Sequence, residues 1–422
     1  MDKFIIEGGK TLEGQVAVSG SKNSCLPIMA ASLLTRGETV IENVPALRDV
    51  YTMARVLENL GVKVSIGKGR ASITTTDYTG FIAPYELVRT MRASYYVLGP
   101  LLAVMRKARV SLPGGCTIGA RPVNLHIDGL RALGARIDIV HGFIDASADK
   151  LAGTKINLSG QKGSSVGATI NVMMAATLAE GVTTIEGAAM EPEVVDVAGF
   201  IRAMGGDIEG DGTPVITIKG KESLKPARYK IIPDRIEAGT LAVVVAMVGG
   251  DVLVESCDPA HLAYTLDTLS RIGARIETRS DAFHIMSDGA RRLECFSVEA
   301  APYPGFPTDM QAQFMAMATL IRGVSVIKES IFENRFLHAV ELARMGADIT
   351  LEGSVARVSG VEKLSGAPVM ASDLRASAAL VLAGLAAEGE THVYRIYHLD
   401  RGYESLEKKL RSLGAVCERI TD

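Results

Sequence analysis

The stretch "LPGGCTIGARPVN", residues 112–124, sets Cys116 behind two glycines and five positions ahead of Arg121. Glycines around a thiol point to a backbone that must move or meet a ligand closely, since a packed core needs none. A thiol with an ordinary pKa of about 8.5 still holds its proton at neutral pH and can donate it. Arg121 would push such a thiol toward thiolate. Charged side chains also stand beside small residues in six segments: "SGSKNS", "RTMRAS", "GQKGSSVGAT", "PDRIEAGT", "FPTDMQAQ" and "SDLRASA". If helices begin there, their unpaired N–H groups and positive dipole ends attract anions. Lys22, Arg92, Lys162 and Arg375 add positive charge, while Asp234 and Asp309 break the pattern, and a carboxylate beside an anion site has separate work. Singly, such residues are caps and solvated ends. Several parallel helices aimed at one place need something negative between them.

Arginines precede a second set of helices at Arg48, Arg121, Arg335 and Arg401. Arg121 and Arg401 stand out, because each lies in a glycine-containing loop without apolar cover, and arginine suits bidentate capture of phosphate or carboxylate. Arg48 looks like a solvated helix start. The sum is a cationic site with one thiol and one or two carboxylates, suited to a small polyanionic substrate. No P-loop, no G-x-G-x-x-G after a strand and no His/Cys metal cluster is present, so neither a cofactor nor a metal is expected.

Two recurring phrases must position these residues. One is an amphipathic helix, a glycine and a short strand: "ARVLENLGVKV", "IDGLRALGARI", "AGFIRAMGGDI", "LDTLSRIGARI", "VELARMGADI" and "LEKKLRSLGAV". Its glycines, Gly61, Gly134, Gly205, Gly273, Gly346 and Gly414, read as helix stops feeding strands. The other is a nearly all-apolar helix followed by a β-branched strand, as in "GATINVMMAATLAEGVTTIE" and "SAALVLAGLAAEGETHVYR". A helix apolar on every face is buried on every face, and the amphipathic one covers it. An open solenoid is disfavoured, because its repeats are shorter and need no fully buried helix. Six units in 422 residues predict an α/β protein of two domains with three repeats each. The expected domains are 22–232 and 1–21 plus 233–422, with the active site in the cleft between them.

Bulk properties narrow the partners. A formal net charge of −3 argues against a nucleic-acid or anionic-membrane binder. Five scattered cysteines without C-x-x-C exclude a disulfide framework and fit a reducing compartment. No apolar run spans a bilayer and the start lacks a signal-peptide pattern, so a cytoplasmic protein is expected.

The strings "SGSKN", "RTMRAS", "LPGGCTIGARPVNLH", "EPEVVD", "PDRIEAGT", "FPTDMQAQF", "FENRF", "MGAD", "SDLRASAALVLAG" and "DRGYE" cover the whole chain. Through them it resembles the UDP-N-acetylglucosamine 1-carboxyvinyltransferase family, enolpyruvyl transferases that open bacterial peptidoglycan synthesis. The resemblance implies two inside-out α/β domains, each of three βαβαββ-type repeats. It also implies transfer of the enolpyruvyl group of phosphoenolpyruvate to the 3-hydroxyl of UDP-N-acetylglucosamine, with release of phosphate, by a monomer. By matching position, Lys22, Arg121 and Arg401 hold phosphoenolpyruvate, Asn23 and Asp309 meet the sugar hydroxyl, and Cys116 is the general acid. Nucleotide-sugar contacts fall on Arg92, Arg121, Pro122, Val123, Asn124, Leu125, Lys162, Ser164, Ser165, Val166, Asp309 and Ile331. Asp373 and Arg375 line an anion wall. Around "QKGSSVGAT" the chain carries an extra residue relative to the family's common form. Two alternatives remain at this level: sister transfer to shikimate 3-phosphate, whose family uses no cysteine in this loop, and a non-catalytic sugar-nucleotide binder.

Overall fold

A computed structural model of the chain describes residues 2–89, 91–112 and 123–421. They divide into two compact units, one within residues 20–232 and the other combining residues 2–19 with 233–421. Among the described residues no helix is long and apolar enough to cross a membrane.

The first unit is built on three buried helices, Lys22–Ala31, Leu98–Met105 and Val166–Ala176. Every residue from Ala168 to Ala176 is buried, as an all-apolar run requires. Three amphipathic helices, Arg48–Asn59, Asn124–Ala132 and Pro192–Ala203, cover them. The second unit repeats the plan with buried helices Arg235–Val248, Gln311–Ala318 and Leu374–Ala386. Its covering helices are Ala263–Arg271, His338–Arg344 and Leu406–Ser412.

The fold is the expected α/β class, with six four-stranded sheets among the described residues. In each, the strand after a buried helix pairs with a parallel neighbour on one side and an antiparallel one on the other. Lys155–Asn157 runs parallel to Val182–Glu186 across the Val166–Ala176 helix, and Val215–Lys219 returns antiparallel. Where the chain supplies no preceding strand, another segment takes its place. Arg228–Lys230 pairs parallel with Gly37–Glu42 and closes the first unit. In the second, Leu12–Ala17 pairs parallel with Gly250–Glu255, and Lys3–Glu7 lies between Glu390–Tyr394 and Val416–Ile420. The opening residues therefore complete two sheets of the C-terminal unit.

The six punctuating glycines have φ between 94° and 116°. Each follows a covering helix and closes it in the same way. Gly61 N–H bonds Glu58 C=O and Val62 N–H reaches back to Leu57 C=O; Gly346 with Ala347 and Gly414 with Ala415 repeat the pair. This Schellman closure needs a left-handed residue, where a Cβ is strained, so the glycine marks the spot in the sequence.

Candidate active site

In the first unit the buried helices start on neutral or absent caps. Ser21 Oγ accepts the Ser24 N–H and Ser165 Oγ accepts the Ala168 N–H, both at 3.3 Å, and the Arg92–Val97 turn has no side-chain cap. A hydroxyl satisfies one donor without cancelling the positive end of the dipole. Cations follow at once: Lys22 is the first residue of its helix and Arg92 the first of its turn. Lys22 Nζ stands 3.8 Å from Asp49 Oδ2. Asp49 is almost wholly buried in the first turn of a covering helix, so it steers the ammonium of Lys22. Asp49 carries no signal in the sequence that sets it apart from other acids in a first helical turn. Asn23, beside Lys22, is half-buried.

The expected nucleotide-sugar contacts of this unit gather around His126. Val123 and Leu125 are half-buried and Asn124 exposed, and a Cβ built on Gly160 would stand 3.1 Å from Leu125 Cδ1. This seats Leu125 on the turn that carries Lys162, which is exposed, and Ser164, which is half-buried. Ser165 caps the helix whose first residue is Val166. A Cβ on Gly167 would meet His126 Cε1 at 3.0 Å and Nε2 at 3.1 Å, so the imidazole edge lies on that helix start.

Asn171 decides where the imidazole proton sits. Its Oδ1 accepts the Gly99 N–H at 2.9 Å and its Nδ2 donates to Tyr95 C=O at 3.0 Å, which fixes the amide orientation. The second Nδ2 hydrogen faces His126 Nδ1 at 3.0 Å, so Nδ1 accepts and the proton lies on Nε2. Burial, and then the charge of Arg92, push His126 down to about 4. Cys116, Arg121 and Pro122 lie outside the described residues.

The second unit caps two of its three buried helices with carboxylates instead. Asp234 Oδ1 accepts the Ile236 and Glu237 N–H groups at 2.9 and 3.1 Å. Asp373 Oδ1 accepts those of Arg375 and Ala376 at the same distances. The separate work of Asp234 is therefore capping, and Asp373 shares that task. Positive charge is restored by arginines. Asp309, in the Thr308–Met310 turn, receives Arg335 Nη2 on Oδ1 at 2.7 Å and Arg375 Nη2 on Oδ2 at 2.9 Å. Both arginine side chains are only 4% exposed, whereas 28% of Asp309 is. Burial pushes the Asp309 carboxyl up, but the two guanidinium groups outweigh it and hold it well below the usual carboxylate range.

Glu329 ties this fork to the neighbouring loop. It is buried, takes Thr308 Oγ1 on one oxygen at 2.8 Å, and takes the Ile331 and Phe332 N–H groups on the other at 2.8 and 3.0 Å. The structure thus brings Asp309, Arg375, Asp373 and Ile331 together. Arg335 and Glu329 were missed as site residues. Arg335 was legible only as one more arginine before a helix, and Glu329 gave no pattern at all. Arg401 is half-buried and ends the Ile396–Arg401 turn.

The described thiols sort by burial. Cys25, Cys257 and Cys417 are buried, and burial raises the thiol pKa of each, to about 12 for Cys257 and Cys417. Cys295 is exposed.

Buried His338 is held neutral in the same manner as His126. Burial pushes it down to about 4 despite the charge of Asp373. An unfolded histidine takes up its proton near pH 6.5, so the unfolded chain binds more protons than the native one between about pH 6.5 and 4. Stability conferred at neutral pH is lost across that window, by up to roughly 3 kcal/mol for His338. Glu237 and Asp196, whose carboxyls burial raises, act in the opposite sense and gain on acidification. The comparison with His338→Gln isolates the histidine. Urea unfolding at pH 7 and 4.5 should show the wild type losing more stability than the variant.

Comparison with known proteins places this arrangement. The sequence pattern of the family described as EPSP synthase (3-phosphoshikimate 1-carboxyvinyltransferase) matches residues 6–410. The UDP-N-acetylglucosamine 1-carboxyvinyltransferase of Geotalea uraniireducens (strain Rf4) is 53% identical over 422 residues, covering all of both chains. That of Dichelobacter nodosus (strain VCS1703A) is 52% identical over 423 residues with the same coverage. Among solved structures, the enolpyruvyl transferase NikO from Streptomyces tendae superposes with a TM-score of 0.89 at 26% identity, covering 100% of this chain and 99% of that one. EPSP synthase from Acinetobacter baumannii, at 18% identity and TM-score 0.76 over all of both chains, shares the fold alone. With more than half its residues identical to proteins of that name from end to end, the chain belongs to the UDP-N-acetylglucosamine 1-carboxyvinyltransferase family of enolpyruvyl transferases.

Proposed function

We propose that this protein transfers the enolpyruvyl group of phosphoenolpyruvate to the 3-hydroxyl of UDP-N-acetylglucosamine and releases phosphate. The reading rests on end-to-end identity above one half with carboxyvinyltransferases of that name. The paired arginines on Asp309 support it, because they put a carboxylate and anion-binding donors in one place.

Addition of an alcohol to an enol phosphate needs a proton at the methylene carbon and passes through a cation-like centre at the carbon bearing phosphate. Cys116 donates that proton. Lys22, Arg121 and Arg401 hold the phosphate and carboxylate through addition and elimination, with electrostatic stabilisation from fixed donors. Asn23 and Asp309 meet the sugar hydroxyl. Asp309 takes its proton only as the C–O bond forms, because a free hydroxyl is far too weak an acid for a carboxylate. Arg92, the segment 121–125, Lys162, Ser164, Ser165, Val166 and Ile331 hold the nucleotide sugar, and Asp373 and Arg375 complete the anion wall. The reaction is the opening step of peptidoglycan synthesis, and hence serves cell shape and division, carried out by a cytoplasmic monomer.

The test is phosphate release from phosphoenolpyruvate with each acceptor in turn. Turnover is expected with UDP-N-acetylglucosamine. Turnover with shikimate 3-phosphate alone, or sugar-nucleotide binding with no phosphate released, would overturn the reading.

A further inference from the structure

Behind the Asp309 fork lies a buried polar cluster whose hydrogens can be placed one by one. Thr240, in the Arg235–Val248 helix, donates its only hydroxyl hydrogen to Ile236 C=O at 2.8 Å. Its Oγ1 can therefore only accept from its other neighbours, Tyr403 Oη at 2.9 Å and Gln313 Nε2 at 3.0 Å. Tyr403 must donate to Thr240. The same constraint sets the Gln313 amide, since turning it over would set Oε1 against an oxygen with no hydrogen left to give. Gln313 Nε2 then donates its second hydrogen to Tyr403 Oη at 3.2 Å. Tyr403, Thr240 and Gln313 are all buried, and burial raises the Tyr403 phenol so that it keeps its proton.

Tyr403 lies under Arg375 and follows closely on Arg401 in the chain. The Arg375 guanidinium lies over its ring, 5.4 Å from the centroid. Arg375 gives Nη2 to Asp309, but its Nε and Nη1, both buried, meet no acceptor among the described residues. On the other side Tyr403 is two residues from Arg401. Between them a Cβ on Gly402 would fall 2.6 to 3.1 Å from Leu374 side-chain atoms, so the Arg401 turn is pressed onto the start of the helix that carries Arg375.

We propose that Tyr403, oriented by Thr240 and Gln313, is a positioning residue for the transfer reaction. It fixes the Arg375 guanidinium and the Arg401 turn together, so that their positive charge is already in place for the phosphoenolpyruvate anion. The proposal rests on the transfer activity above. It assigns no chemical step to Tyr403; the phenol acts through the two arginines.

The experiment compares steady-state kinetics of Tyr403→Phe, Thr240→Val and Thr240→Ser with the wild type. Thr240→Ser keeps the hydroxyl and Thr240→Val removes it at nearly constant shape. KM for phosphoenolpyruvate should rise about tenfold in Tyr403→Phe and Thr240→Val, as expected for loss of one buried hydrogen bond that holds the ring beneath Arg375. KM for UDP-N-acetylglucosamine should stay within about twofold, and Thr240→Ser should recover wild-type behaviour. A merely structural role would lower the active fraction and leave both KM values unchanged. That result, or equal rises for both substrates, or a Thr240→Ser variant as impaired as Thr240→Val, would overturn the proposal. If Tyr403→Phe does not fold, the Thr240 pair alone decides. Wild-type phosphate release is measured first; its failure would sink the activity, whereas unchanged KM values in active variants sink only the positioning role.

Discussion

Asp309→Asn is expected to lower kcat about a thousandfold while KM for phosphoenolpyruvate stays the same or falls. Loss of a proton acceptor costs typically 10²- to 10⁴-fold, which sets the first figure. The second follows from charge. Asp309 offsets one of the two positive charges of Arg335 and Arg375 in the free protein, and asparagine leaves that charge uncompensated between the two buried guanidinium groups. A substrate anion then becomes their best partner.

The same fork explains how a carboxylate held so far below its usual range can accept a proton at all. An arriving anion shares the guanidinium donors and offsets their charge, so the basicity of Asp309 rises when phosphoenolpyruvate is bound. Folding itself should suffer in the asparagine variant, because breaking a buried ion pair costs about 3–5 kcal/mol. Kinetics are therefore read on the folded fraction at low temperature. A kcat within tenfold of wild type would remove Asp309 from the proton path, and a large rise in KM for phosphoenolpyruvate would contradict the charge argument.

Much of this architecture was written in residue types that have few alternatives. A helix apolar on all faces has only one place to go, and a glycine after helical periodicity closes the helix by a motif that needs a left-handed residue. Those two signals suffice for α/β repeats. Strand exchange was not legible in the same way: nothing in "KFIIE" says that it lies between Glu390–Tyr394 and Val416–Ile420.

The site divides likewise. Lys22, Arg375 and Asp309 stand beside helix starts and announce themselves by charge against an apolar background. Asp49 and Arg335 work through partners far off in sequence, and Glu329 ties its own loop to Thr308 across 21 residues, and no local spacing encodes such pairings. The serine caps of one unit and aspartate caps of the other were visible as letters. Their meaning, electropositive helix ends against self-neutralised ones, needed the backbone donors to be counted.

Cys116→Asp is expected to retain turnover with its pH optimum moved to lower pH, whereas Cys116→Ala falls by about a thousandfold. A carboxylic acid can deliver the methylene proton as a thiol does, but its ordinary pKa of about 4 leaves little of it protonated at neutrality. The neighbouring phosphate dianion raises that value, and acidification supplies the rest, so the basic limb of the pH–rate profile shifts down. Alanine has no proton to give at any pH.

The same substitution separates acid from nucleophile. An epoxide phosphonate such as fosfomycin should alkylate wild-type Cys116: the thiolate opens the ring, a C–S bond forms, the C–O bond breaks and the alkoxide takes a proton. Bound UDP-N-acetylglucosamine should speed this labelling, and Cys116→Asp should abolish it. Burial removes Cys25, Cys257 and Cys417 from competition, since only thiolate reacts and their thiols are pushed up. Cys295, exposed, is the one rival among the described thiols. Peptide mapping that finds the adduct on Cys295, or a Cys116→Asp protein inactive from pH 5 to 8, would take the proton-donor role away from Cys116.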